Sequence, residues 1–70
     1  MKTHIKTNTL RREMRLVGIS IERMATKIGK SKRAVQYIFS KESTKLDTLA
    51  DIVVVLKKAG SQLPLSYYIK

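Results

Sequence analysis

Three glycines constrain this chain more than any other feature. Gly18, Gly29 and Gly60 each follow a stretch whose apolar residues recur at helical spacing, so the sequence divides into short amphipathic helices with stops between them. Thr9 is placed to N-cap a first helix, Leu10 to Val17, in which Leu10, Met14 and Val17 fall at i, i+4 and i+7. Ser20 is the next cap, with Ile21, Met24, Ala25 and Ile28 on one face before Gly29. Ser31 then caps a third helix, in which Val35 and Ile38 face inward with Ala34 and Phe39 beside them.

A polar loop, Ser40 to Lys45, leads to a fourth helix over Leu46 to Lys58. Its face is Leu49, Ile52, Val53 and Leu56. Asp47 in the first turn and Lys57 and Lys58 in the last suit the helix dipole. Val54 and Val55 form a β-branched run that also fits a strand, but the length and the end charges favour a helix. After Gly60 the pattern changes. Leu63, Leu65, Tyr67 and Ile69 alternate, which predicts a strand, with Pro64 at its start or edge. A lone strand is not stable, so it needs either the segment around Ile5 or a second copy of itself. Residues 1–8 read as a flexible arm or a weak edge strand. The expected fold is mainly α: one domain over residues 1–70, with a core of about 9–60, four or five helices and a tail of 61–70.

A chain of 70 residues buries a thin core. It has no cysteine and one histidine, His4, so neither a disulfide nor a structural zinc is expected to staple it. A compact helical core or oligomerisation remains. His4 reads as a surface residue, and Met14 and Met24 as core. At 43% hydrophobic residues the chain is no disordered tail. The longest apolar run, Ile52 to Leu56, is far short of the ~20 residues of a membrane span. The first eight residues lack the apolar centre of a signal peptide, so a cytoplasmic protein is expected.

The formal net charge is +10. Residues 1–45 hold twelve basic and three acidic side chains, whereas residues 46–70 hold three and two. A field this uneven attracts a polyanion, nucleic acid before an anionic membrane. No paired carboxylates, Cys or His dyad or phosphate-cradling glycine loop suggests catalysis. No enzyme and no cofactor is expected.

Residues 21–40 (IERMATKIGKSKRAVQYIFS) carry the functional signal. Ala25 leaves room for a neighbouring helix, Gly29 supplies a sharp turn, and Val35 and Ile38 anchor the next helix on Met24 and Ile28. With the helices on either side, this stretch resembles the helix-turn-helix of Cro/C1-type (XRE) regulators over about residues 9–60. Ile21 stands where that family often carries Gln. The resemblance implies a lambda-repressor-like domain that binds double-stranded DNA. Helical spacing turns Lys32, Arg33, Gln36 and Tyr37 outward, and the family's base-reading positions fall on the same four. Phosphate contacts are expected from the helix end capped by Ser31 and from Lys27, Lys30, Lys41 and Lys45. Arg11, Arg12 and Arg15 either face the DNA backbone or balance Glu13.

The family implies a homodimer on an inverted-repeat operator. Two seams are available. One is Val54 and Val55 on the fourth helix. The other is the tail, through Leu63, Leu65, Tyr67 and Ile69, which weakly resembles the paired C-terminal strand of HipB-type antitoxins. The alternative for the tail is that it folds back on its own core. The expected function is a transcriptional regulator, a repressor by operator occupancy. The alternatives are an antitoxin-type protein with a toxin partner and a controller of a restriction-modification operon.

Overall fold

The computed structural model describes residues 2–70, and Met1, the first residue of the expected arm, lies outside the described residues. Four helices carry the fold: α1 (Thr7–Val17), α2 (Ile21–Ile28), α3 (Lys32–Lys41) and α4 (Leu46–Lys58). Two short strands, β1 (Thr3–His4) and β2 (Ser43–Thr44), pair antiparallel, with Thr3 opposite Thr44 and His4 opposite Ser43. A single 3₁₀ turn, Leu65–Tyr68, closes the chain. Among the described residues no helix is long and apolar enough to cross a membrane.

The apolar faces read from the sequence converge on one core. Leu10 and Met14 come from α1, Met24 and Ala25 from α2, and Leu49, Ile52, Val53 and Leu56 from α4; all are buried. From α3, Val35 and Phe39 are buried, while Ile38 and Ala34 are half-buried. The expected order of Ile38 and Phe39 is thus reversed. The cause is α1: Phe39 lies against it, with the Arg11 guanidinium 5.1 Å from the ring centroid.

Helix α1 starts three residues earlier than expected, at Thr7 rather than at Leu10 after a Thr9 cap. Lys6 occupies the N-cap position and makes no side-chain capping bond. Tertiary pairing supplies the stop instead. The Lys6 N–H donates to the Tyr68 carbonyl at 2.7 Å, and the Lys6 carbonyl accepts from the Leu10 N–H at 3.1 Å. The polar loop after α3 is also shorter than expected. Helix α3 runs to Lys41, Glu42 takes a left-handed conformation (φ 56°), and β2 follows at once. The Glu42 carbonyl accepts from the Ile5 N–H at 2.9 Å, which draws the N-terminal arm onto β2.

The tail takes the second of its two expected courses, though not as a strand: Leu63 to Ile69 folds back on the core, with a 3₁₀ turn at Leu65–Tyr68. In a 3₁₀ turn residues three apart share a face, so Leu65 and Tyr68 point the same way and Tyr67 is left exposed. Tyr68 is wholly buried, and Leu63, Leu65 and Ile69 pack against the core. Ile69 bridges to Ile5, one of the two partners expected for this segment. The Lys70 N–H donates to the His4 carbonyl at 3.1 Å, and its ammonium lies 3.2 Å from Glu42 Oε2.

Under the tail lies a polar contact that helical periodicity could have exposed. Glu13 falls between Leu10 and Val17 on the inward stripe of α1 and is buried. The Ser61 hydroxyl donates to Glu13 Oε1 at 2.9 Å, and the Tyr68 hydroxyl lies 3.4 Å from Ser61 Oγ. Arg12 Nε sits 4.0 Å from the other carboxylate oxygen.

Burial pushes the Tyr68 phenol above its ordinary value of 10.0; the Ser61 contact opposes the rise and the Glu13 charge adds to it. The fold therefore favours the neutral ring. That contribution is complete below pH 10, the unfolded value, and is lost as pH rises from there through the raised folded value. Tyr68→Phe is expected to unfold less steeply than the parent above pH 10 in alkaline melts. Tyr68→Ala, which empties a wholly buried site, should cost about 3–5 kcal/mol in urea denaturation at neutral pH.

Candidate nucleic-acid interface

Two serines and a glycine set α2 and α3 against each other. Ser20 Oγ accepts from the Arg23 N–H at 3.1 Å and starts α2. Gly29, at φ 72°, ends it: the Lys30 N–H donates back to the Ala25 carbonyl at 2.9 Å. Ser31 Oγ then accepts from the Ala34 N–H at 3.1 Å and starts α3. Gly29, Lys30 and Ser31 are the whole connection. A Cβ at Gly29 would meet no atom within 4 Å, so the left-handed backbone alone selects glycine there.

The inward stripe of α3 leaves the opposite face to solvent. Lys32, Arg33, Gln36 and Tyr37 are all exposed, as expected from their spacing, and Ser40 continues the stripe. No acidic residue occurs between Arg23 and Lys41, a stretch with six basic ones. Among the described residues neither Lys32 nor Arg33 pairs with a carboxylate, because the ion pairs present are Arg12–Glu13 and Lys70–Glu42. The face therefore offers a planar guanidinium, an ammonium and an amide with nothing local to neutralise them.

Tyr37 sits at the edge of this stripe. The Lys41 ammonium lies 5.5 Å from its ring centroid and the Lys2 ammonium 5.8 Å. Both distances are within the range of cation–π attraction. Lys2 reaches the ring because β1 pairs with β2, a link that no local pattern in the sequence announces. Tyr37, Lys2, Lys30, Lys41 and Lys45 all border one cavity of about 380 Å³ between α3 and the start of α4.

The expected phosphate contacts divide accordingly. Lys30, Lys41 and Lys45 gather at that cavity. Lys27 does not join them; it borders a groove against α4 with Val55 and Lys58. Ser31 Oγ accepts the capping bond from Ala34, which leaves its O–H and the first N–H groups of α3 able to donate. Of the α1 arginines, Arg12 approaches Glu13, Arg11 covers Phe39, and Arg15 is exposed in the last turn. Of the expected dimer residues, Val54 is exposed and Val55 half-buried beside it, Tyr67 is exposed, and Leu63, Leu65 and Ile69 pack on the chain's own core.

Compared with protein-family models, curated proteins and solved structures, the chain matches none. Among the described residues no group of three His, Asp or Glu side chains is placed to hold a metal ion.

The turn makes a direct prediction. Gly29→Ala forces a Cβ into the left-handed region without a clash, and should destabilise the fold by about 1–2 kcal/mol. Gly29→Asn should cost less, because asparagine tolerates that conformation better. Urea melts of the two variants check the order.

Proposed function

We propose that this protein is a sequence-specific double-stranded DNA-binding regulator that lays α3 in the major groove. One observation carries the reading: an exposed stripe of Lys32, Arg33, Gln36 and Tyr37, unneutralised, on a helix presented by a three-residue turn and two serine caps. The residue types match what base edges offer. Arg33 has the fork to hold guanine O6 and N7, Gln36 the amide to pair with adenine, and Lys32 a donor for guanine or phosphate. Lys30, Lys41 and Lys45 extend the positive field beyond the stripe.

Such a protein represses by occupying its operator. A single module contacts few base pairs, so a homodimer on an inverted repeat completes the reading. With the tail folded back, the α4 face around Val54 is the seam we assign to it. Val54 is 49% exposed and borders a groove with Val55 and Ile28, flanked by Lys27, Asp51 and Lys58.

Selection from random-sequence duplexes at about 0.15 M salt tests this, since non-specific binding is weak there. The expected product is an enriched inverted repeat. Arg33→Ala should then weaken binding to it by about 1–3 kcal/mol and relax the sequence at one position. Failure to enrich any sequence, with binding that merely fades as salt rises, contradicts the proposal.

A further inference from the structure

The cavity beside Tyr37 is built differently from the outward stripe of α3. We propose that it is a binding site for a small phosphorylated molecule with a flat body, of the size and chemistry of a mononucleotide. Its polar border holds four lysines, Lys2, Lys30, Lys41 and Lys45, and no carboxylate. Among the described residues none of the four forms an ion pair. A dianion in this space meets four ammonium groups and no competing carboxylate on the border.

The floor is the start of α4, a helix of 13 residues. Lys45 is its N-cap and gives no side-chain capping bond. The first helical bond runs from the Leu49 N–H to the Lys45 carbonyl at 3.1 Å. The N–H groups of Leu46, Asp47 and Thr48 are therefore free at the positive end of the dipole. Asp47 shares that first turn, but it is exposed and does not border the cavity.

Two threonines supply an independent sign. Thr44 and Thr48 are 6% and 8% exposed, and both border the cavity. Neither hydroxyl makes a hydrogen bond among the described residues. Yet among those residues no buried side-chain polar atom is sealed away without a partner, so each hydroxyl keeps some access to solvent, and this cavity is a space both residues border. A phosphate oxygen satisfies them. The rest of the border is apolar or aromatic: Ala34, Ile38 and the Tyr37 ring. An inorganic anion leaves that wall bare, whereas a nucleobase covers it. The volume, about 380 Å³, falls at the small end of the ~300–1,000 Å³ range of ligand sites.

An anion held here lies beside the base-reading stripe and lowers its attraction for DNA. That consequence rests on the DNA reading; the site itself does not. Calorimetric titration of the full chain with adenosine 5′-monophosphate, adenosine, inorganic phosphate and a short duplex separates the two. The monophosphate should saturate at one per chain with Kd below about 1 mM at 0.15 M salt. Adenosine should give no binding, and inorganic phosphate should bind at least tenfold more weakly. Thr48→Val, nearly equal in shape, and Lys45→Gln, at an exposed position, should each weaken the monophosphate about tenfold. Equal binding of adenosine, heats that never saturate, or indifference to both variants overturns the site. If the duplex binds and the monophosphate does not, the cavity proposal falls and the DNA reading stands. If the monophosphate behaves as expected and no duplex is bound, the site stands and the DNA reading falls.

Discussion

Between Ile28 and Lys32 the chain has three residues in which to end one helix, change direction and begin another. Gly29 makes this possible by entering the left-handed region without strain, so that the Lys30 N–H can bond back to Ala25. Ser31 satisfies an orphan N–H of the next helix in the following step. With the turn fixed, Met24 and Ala25 on α2 share one core with Val35 and Phe39 on α3. Burying that side of α3 leaves only one direction for Lys32, Arg33, Gln36 and Tyr37. The exposed stripe follows from the turn and the helical period, with no separate device to aim it.

The rest of the chain supports that pair of helices. Helix α4 packs on α2 and supplies the largest share of the core. The tail then closes the side of α1 through Tyr68, Ser61 and Glu13, and ties back to the arm through Ile5 and Ile69. A domain of this size has little stability in hand, roughly 0.05–0.15 kcal/mol per residue. A single buried ring such as Tyr68 is therefore a large fraction of it. Closing the tail and arm together also has an electrostatic result. It carries Lys2 to the Tyr37 ring, which Lys41 already approaches, and adds to the positive charge at the end of α3.

Features set by short-range rules were legible in the sequence. Helix α4 has the bounds read from its apolar spacing and end charges, Leu46–Lys58. Ser20 and Ser31 cap as expected, and Gly18 and Gly29 stand at positive φ. The four outward residues of α3 are exposed because helical spacing alone places them. What was hidden depends on partners far along the chain. The strands β1 and β2 are two residues each and forty apart, too short to leave a pattern. The Thr9 cap failed because backbone bonds from the tail set the entry of α1. Glu42 holds a left-handed turn that glycine would have advertised. Leu63 to Ile69 alternates, but the alternation hid Tyr68, whose partner Leu65 lies three residues away in a 3₁₀ turn. Thr44 and Thr48 carry no motif, and the cavity they border exists only because α3 and the arm at Lys2 pack beside the start of α4.

The proposed function requires that one face of α3 meets the duplex. Mapping a selected duplex onto the backbone amides of the ¹⁵N-labelled protein by NMR tests it most directly. If α3 lies in the groove as proposed, the largest shifts run from Lys30 to Lys41, with the α4 face around Val54 affected only through dimerisation. Shifts centred on α1 or the tail, with α3 unmoved, would contradict it.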